Sequence, residues 1–323
     1  RAKKYLLKAY MLSNDDFYYI NSIILSYLGK VFYRLEDYEN LNYYLSIKYD
    51  KYDYFLNSNE KVDTAVIYAR TLHILRKSGE SIKLLEELAS EIEILSQKIK
   101  LYSYIAFLAY ITKDYNKSLV YTLKLINEKE KIQKSNFALE YKLIGNIYLK
   151  LKDYRSAESF YMRSLEELKT FKQTSKKSLF VFSAFVNLGG GKNDLSQGKL
   201  KKNIKKEIYN NLITTYSYLS KYKEAQNYLE KRMELLSKKE RKNIKMAISY
   251  NHFGINSMND KDLAKAIYYF KQSFSMLNNL KIDNGFIENL VNLYDAEFLS
   301  KNSHTNIPFS KFIAIIDRNN YDS

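Results

Sequence analysis

Three stretches of this chain carry residue types that can do chemistry. The run Gly189-Gly190-Gly191-Lys192 has the glycine-then-lysine character of a phosphate-binding loop. There, backbone N–H groups cradle phosphate oxygens and the lysine reaches the outer phosphate. That chemistry requires G-x4-G-K-[ST] between a strand and a helix. Here Asn193 follows the lysine, the first glycine is missing, and no strand pattern precedes the run. The three histidines, His73, His252 and His304, have no second His, Cys or acidic residue at metal-ligand spacing. No nucleophile–base pair is legible either. The sequence therefore reads as non-catalytic, with no metal site and no cofactor motif. Two basic runs, 199–206 (KLKKNIKK) and 238–245 (KKERKNIK), could contact phosphates with salt-dependent affinity. No helix-turn-helix or other recognition motif stands beside them, so nucleic acid is not the expected partner, and a nucleic-acid-binding solenoid using these Lys-rich segments stands as an alternative reading.

Composition bounds the remaining classes. Among 323 residues there are 52 Lys and Arg against 36 Asp and Glu, a net charge of +16. That balance favours acidic partners or anionic surfaces. It also fits Lys-rich solvated helix faces in a chain rich in Lys, Asn, Ile and Tyr. With no Cys, disulfides, thiolate metal sites and Cys nucleophiles are excluded. No apolar run approaches the roughly 18 residues of a membrane-spanning helix. One Pro and nine Gly favour helices almost throughout, and 32 Tyr with no Trp suit thin helical layers. Tyr can bury its ring while its hydroxyl reaches water or a partner. The chain starts with Arg inside an apparent second helix, which reads as a stretch of a longer polypeptide; no targeting segment or compartment is inferred.

The stretch 139–166, LEYKLIGNIYLKLKDYRSAESFYMRSLE, contains two helical patterns joined by the turn Lys152-Asp153-Tyr154. Tyr141, Ile144, Gly145 and Tyr148 share one face of the first helix, and Tyr154, Ala157, Tyr161 and Ser164 one face of the second. A lone helical Gly costs about 1 kcal/mol against Ala, so Gly145 argues for close packing. The position of Ala157 recurs at 2, 41, 81, 118, 157, 225 and 266, in steps of 39, 40, 37, 39, 68 and 41. A truncated unit and four full hairpins thus share one rhythm, and two more hairpins follow a break. Their turns are expected at Glu36-Asp37-Tyr38, at Lys77-Ser78-Gly79 with Gly79 in the left-handed conformation, and beside Tyr115, Tyr154, Tyr222 and Leu263.

The pattern Y-x2-I-G-x2-Y followed by Y-x2-A-x3-Y resembles the tetratricopeptide repeat, in a form lengthened by roughly one helical turn beyond the usual 34 residues and lacking the family's Trp and Pro. The resemblance implies an all-α, right-handed superhelix of antiparallel hairpins. It further implies a protein- or peptide-binding module whose ligand lies along the first helix of each unit. On that face stand Lys30 and Arg34, then Arg70 and His73, then Phe107 and Tyr110, then Lys142 and Asn146. Asn210, Asn211 and Tyr218 follow, then Asn251 and His252. Neighbours on the same face include Ser26, Tyr33, Val66, Ser103, Thr214, Ile255 and Met258. Asn offers a donor and an acceptor to an extended peptide backbone, and Arg and Lys hold carboxylates, so the expected partner is a protein or extended peptide with acidic groups. Lys142, Asn146 and Asn211 match part of the carboxylate clamp of chaperone-binding family members; Ile248 and His252 depart from it.

The organisation read from the sequence is a single repeat array. Residues 1–12 form a truncated repeat helix and 17–171 four repeats. Residues 172–205 are an irregular insertion or a degenerate repeat, 206–280 two more repeats, and 283–323 capping helices, the last starting at Pro308. The resemblance points to bacterial signalling proteins, in which such regions sense or regulate and a separate output domain acts. It also points to receptors for short signalling peptides. A second copy of the chain is a further candidate partner.

Overall fold

Among the described residues, six other than glycine adopt positive φ, and they set the phase of the molecule: Glu36, Arg76, Lys113, Lys152, Ser220 and Lys261. Each closes a first helix by the same paired bonds. The N–H of the left-handed residue reaches the carbonyl three positions back, and the next N–H reaches five positions back, as in Glu36 N–H to Tyr33 O and Asp37 N–H to Phe32 O. Equivalent pairs recur at Arg76–Lys77, Lys113–Asp114, Lys152–Asp153, Ser220–Lys221 and Lys261–Asp262. This double bond satisfies the orphan carbonyls of a helix end.

The computed structural model describes residues 1–14, 16–52, 58–132, 136–170, 197–236, 244–280 and 286–300. Among them are fourteen helices and no strand. The helices are α1 Ala2–Leu12, α2 Tyr18–Arg34, α3 Tyr38–Tyr52, α4 Ser58–Ile74, α5 Ser78–Glu91, α6 Leu95–Ile111, α7 Tyr115–Glu130 and α8 Ala138–Lys150. They continue with α9 Tyr154–Thr170, α10 Gln197–Tyr218, α11 Tyr222–Leu235, α12 Ile244–Asn259, α13 Leu263–Leu280 and α14 Phe286–Leu299. The described residues fall into two compact units that divide inside α8, between Ile147 and Tyr148.

In the first unit each helix from α1 to α7 packs on the next, and the first helices α4 and α6 also touch. Five residues after the left-handed position comes the point of closest interhelical approach. Leu41, Ser81 and Ser118 there are all 0% exposed, as are Ala157, Ala225 and Ala266 in the second unit. Where this residue is Ser, its hydroxyl is satisfied across the hairpin: Ser81 Oγ donates to Ala69 O at 2.6 Å and Ser118 Oγ to Ala106 O at 2.8 Å. On α1 the corresponding Ala2 is exposed, while Leu6, Leu7 and Tyr10 pack toward the core of Leu25, Leu28, Phe32, Leu41 and Leu45.

In the second unit α9 packs directly on α10, and α10 to α14 follow one another as neighbours. Tyr154 stacks on Tyr218 with centroids 4.5 Å apart, Glu158 pairs with Lys221 at 2.7 Å, and Tyr228 OH donates to Met162 Sδ at 3.2 Å. The hairpin ending in α9 and the one starting with α10 are therefore spatial neighbours despite the long step in sequence. Helix α10 begins at Gln197, not near 206, because Leu200, Ile204 and Ile208 make a buried i, i+4, i+8 stripe. The run 199–206 is thus the opening turns of a packed helix. Gly189 to Lys192, His304, residues 238–243 and the expected helix at Pro308 lie outside the described residues.

An aromatic three positions beyond the close-approach residue, Tyr44, Tyr121, Phe160, Tyr228 or Tyr269, packs on a first-helix ring. The partners include Phe32, Tyr102, Tyr148, Tyr216 and Phe253. Gly79 does not take the left-handed position expected of it; Arg76 does, and Gly79 lies inside α5. The five-residue register to Ser81 fixes which residue must turn, whatever its intrinsic preference.

Four of the six second helices are capped by Asp: Asp37, Asp114, Asp153 and Asp262 each accept the N–H three residues on, at 3.0–3.3 Å. Hydrogen bonds from Asn40 and Ser156, respectively, hold the Asp37 and Asp153 carboxyls below their ordinary range. Helix α5 instead begins after Lys77, with no side-chain cap. Lys77→Asp is expected to stabilise the chain by about 1 kcal/mol, the usual worth of an N-cap. Urea denaturation checks this; an unchanged or lower midpoint contradicts it.

Candidate functional site

The turn register aligns the first helices residue by residue. Six positions before the left-handed residue stand Lys30, Arg70, Phe107 and Asn146 in the first unit. Thr214 and Ile255 occupy the same place in the second. Ten positions before it stand Ser26, Val66, Ser103 and Lys142, then Asn210 and Asn251. The four-residue offset keeps the two residues of each helix on one face of that helix.

In the first unit this face is part apolar and part cationic. Ile23 is 39% exposed, Tyr27 53% and Ile67 44%, large apolar groups left in solvent on the face that carries Lys30 and Arg70. Lys30 Nζ lies 4.8 Å from the centroid of Tyr27, and the Arg70 guanidinium 5.6 Å from that of Tyr33. Arg70 Nε is buried with no hydrogen-bond partner. Arg34 is exposed. From beneath, the ammonium of Lys48, a residue only 8% exposed, donates to Ser26 Oγ at 2.6 Å. Burial lowers the Lys48 pKa, and nearby Glu60 opposes that. Burial also pushes the Tyr104 hydroxyl up to about 12, against the pull of Arg70.

Several expected residues have other tasks. His73 Nδ1 shares a hydrogen bond with Ser78 Oγ at 2.9 Å, so its ring closes its own turn, and burial lowers its pKa. Tyr110 makes the equivalent contact with Tyr115, as Tyr33 does with Tyr38. Val66 and Ser103 are buried, and Ser103 Oγ donates to Ile99 O. Phe107, Lys142 and Asn146 are half-buried on the same face.

In the second unit Asn210, Tyr218 and His252 are exposed and Asn211 is half-buried. Asn251, expected in the open wall, is 8% exposed instead. Its Oδ1 accepts from Asn289 Nδ2 at 2.9 Å and Asn292 Nδ2 at 3.2 Å. Helix α14 therefore covers it, and its amide is used for packing one first helix on the next. Asn256 Nδ2 does the same toward Ser217 Oγ at 3.1 Å. The residues missed from sequence divide in two. Ile23, Tyr27 and Ile67 were legible as further members of the same stripe. Lys48 was not, since it reaches the face from the second helix.

Of the α10 lysines, Lys201 donates to Lys169 O at 3.2 Å, Lys205 and Lys206 are half-buried, and Lys202 is exposed.

No family model matches the sequence, and no curated protein matches it. Solved structures do. A STAND protein (signal transduction ATPase with numerous domains) with a tetratricopeptide repeat sensor, from Pyrococcus horikoshii, superposes with TM-score 0.62 at 15% identity. The match covers 93% of this chain and 41% of that one, so this chain spans well under half of it. The apo form of RapI gives TM-score 0.60 at 12% identity over 92% of this chain and 77% of that chain. BtubC from P. vanneervenii gives 0.51 at 16% over 80% and 89%. The repeat register, the hairpin geometry and these likenesses together define the class: the chain has the all-α tetratricopeptide-repeat fold.

Proposed function

We propose that this chain is a non-catalytic binding module that holds a protein segment or extended peptide on the first-helix face of its hairpins. The observation that carries this reading is the exposure of Ile23, Tyr27 and Ile67 on one face of successive hairpins. A face that, among the described residues, leaves large apolar side chains in solvent is the kind of surface a partner covers. The sensor of the P. horikoshii protein, similar in fold, supports a role as the sensing part of a signalling protein or transcriptional regulator, with the output in another domain.

Peptide display against the 323-residue chain tests the reading. Selected peptides are expected to lose at least about tenfold in affinity, roughly 1.4 kcal/mol, with Ile67→Glu. They should be indifferent to Lys83→Glu, an exposed position on α5. Failure to select any peptide, or equal binding by the Ile67→Glu variant, overturns it.

A further inference from the structure

Exposed apolar side chains gather at the corner between α1 and α2. Met11, Leu12, Phe17, Tyr19 and Ile20 fall within ten residues, and each is more than half exposed. Beyond Tyr27, exposed large apolar side chains among the described residues stand singly or, at Val120 and Leu123, as a pair. The repeat register makes Met11 an exception. It stands nine residues after Ala2, the close-approach position of α1. At that offset the other second helices carry Asp50, Ser90, Asn127, Glu166, Glu234 and Ser275, all exposed. A place that is open in each of these helices, and polar in six, holds in α1 a methionine 83% exposed. Its openness therefore belongs to the position in the repeat. Tyr19 likewise stands where α4, α6 and α10 carry Asn59, Ser96 and Asn203. The corner is held in shape: Asn14 O accepts from Phe17 N–H at 3.0 Å and from Nδ2 of the buried Asn21 at 3.0 Å, and Tyr18 packs edge-on against the buried Tyr52. Cations stand beside it. Exposed Lys4 and Lys8 share the outer face of α1 with Met11 and Leu12, and α1 has no acidic residue. Residues 1–20 hold four cationic residues against Asp15 and Asp16, a balance of +2.

We propose that this corner docks the chain on the surface of an anionic lipid bilayer. Met11, Leu12, Phe17, Tyr19 and Ile20 enter the headgroup layer, and Lys4 and Lys8 meet its phosphates. The geometry fits that depth. Lys8 and Lys4 lie roughly 5 and 10 Å back along α1 from Met11, and interfacial apolar groups sink about 5–10 Å. Phe and Tyr suit this layer, since the ring is apolar and the phenolic hydroxyl stays wet. The lysines favour anionic over neutral headgroups. A protruding corner also favours lipid over protein: a fluid interface closes around any shape, whereas a protein partner must supply a matching hollow. The contact is with the surface, for no described helix is long and apolar enough to cross a membrane. It uses none of the residues that carry the peptide-binding reading.

The chain has no Trp, so Phe17→Trp and Tyr268→Trp each install a single indole, the second at an exposed place on α13. The probes are vesicles of phosphatidylcholine alone and of equal parts phosphatidylcholine and phosphatidylglycerol. The Phe17→Trp emission is expected to move to the blue with the mixed vesicles, and the Tyr268→Trp emission to stay in place. In co-sedimentation the unaltered chain should partition onto mixed vesicles at least about tenfold more strongly than onto phosphatidylcholine. Leu12→Ser combined with Tyr19→Ser leaves the net charge at +16 and should lower that partition at least about tenfold. Lys4→Gln combined with Lys8→Gln should remove most of the preference for mixed vesicles. Undiminished partition of the chain carrying both serines shows attraction by overall charge alone and overturns the proposal. An equal blue shift at both indoles overturns it too. Binding to neither vesicle also overturns it and leaves the corner to a protein partner. The peptide-binding reading stands in each of these cases.

Discussion

Gly254→Ala is expected to destabilise the chain by about 2 kcal/mol or more, while the same change at Gly79 stabilises it by about 0.5–1 kcal/mol. A Cβ at Gly254 would lie 2.2 Å from Phe270 Cε1, 2.3 Å from Cδ1 and 2.6 Å from Cζ. Phe270 is fully buried among Ala266, Leu293 and Ala296, so its ring has nowhere to move without displacing α13 from α12. Against this stands the helix-propensity gain of Ala over Gly, about 1 kcal/mol, which the clash outweighs. Around Gly79 nothing lies within 4 Å, so only the propensity gain remains. Gly29 falls between them: a Cβ there meets Leu41 Cδ1 at 3.6 Å and Leu45 Cδ2 at 3.9 Å, ordinary contact, so Ala should be neutral or mildly stabilising. Urea denaturation of the three variants gives the order. A Gly254→Ala midpoint at or above that of the unaltered chain would refute the close approach of α12 and α13.

Phe32→Ala should cost about 3–5 kcal/mol, as loss of a buried aromatic ring generally does. Phe32 is 1% exposed and packs with Leu25, Leu28, Leu41, Leu45 and Tyr52. Its ring stacks on Tyr44 at 5.3 Å and carries Lys3 Nζ at 4.9 Å. The Lys3–Asp37 ion pair is exposed and cannot make up the loss. Each hairpin is stabilised chiefly by its neighbours, so the damage should be local. Hydrogen exchange is expected to accelerate in α1 to α3 and to stay unchanged in α12 and α13. Uniform acceleration along the chain would show that the array unfolds as one cooperative body.

Much of the architecture was legible beforehand. The spacing of Leu41, Ser81, Ser118, Ala157, Ala225 and Ala266 placed every hairpin. It also held the information needed to correct the turn at Gly79, since counting back five residues from Ser81 reaches Arg76. Gly79 has the freedom to take that conformation, but the register does not require it there. The start of α10 was obscured because the lysines of 199–206 dominate its composition, although Leu200, Ile204 and Ile208 mark the buried side. The recurring aromatic at Tyr44, Tyr121, Phe160, Tyr228 and Tyr269 was also present to be read.

Of the candidate site, the helix face was legible and the condition of its residues was not. Asn210 and Asn251 hold the same place in successive repeats, yet one is open and the other is covered by Asn289 and Asn292. His73 and Arg70 lie three residues apart, yet one closes a turn and the other is a cation stacked on a ring from the preceding hairpin.

Sequence by itself determined that the described residues are helical, where five of the six hairpins turn, and which face of most helices is buried. Those properties follow from local periodicity and from one residue per repeat that must be small or well fitted. Only the tertiary structure decided that Gly254 lies against Phe270 while Gly79 faces open space, that Asn251 is closed, and that Lys48 lies beneath Ser26 beside Lys30. Each of those depends on what an adjacent helix brings to within a few ångströms, and a helix's own periodicity carries no record of its neighbour's side chains.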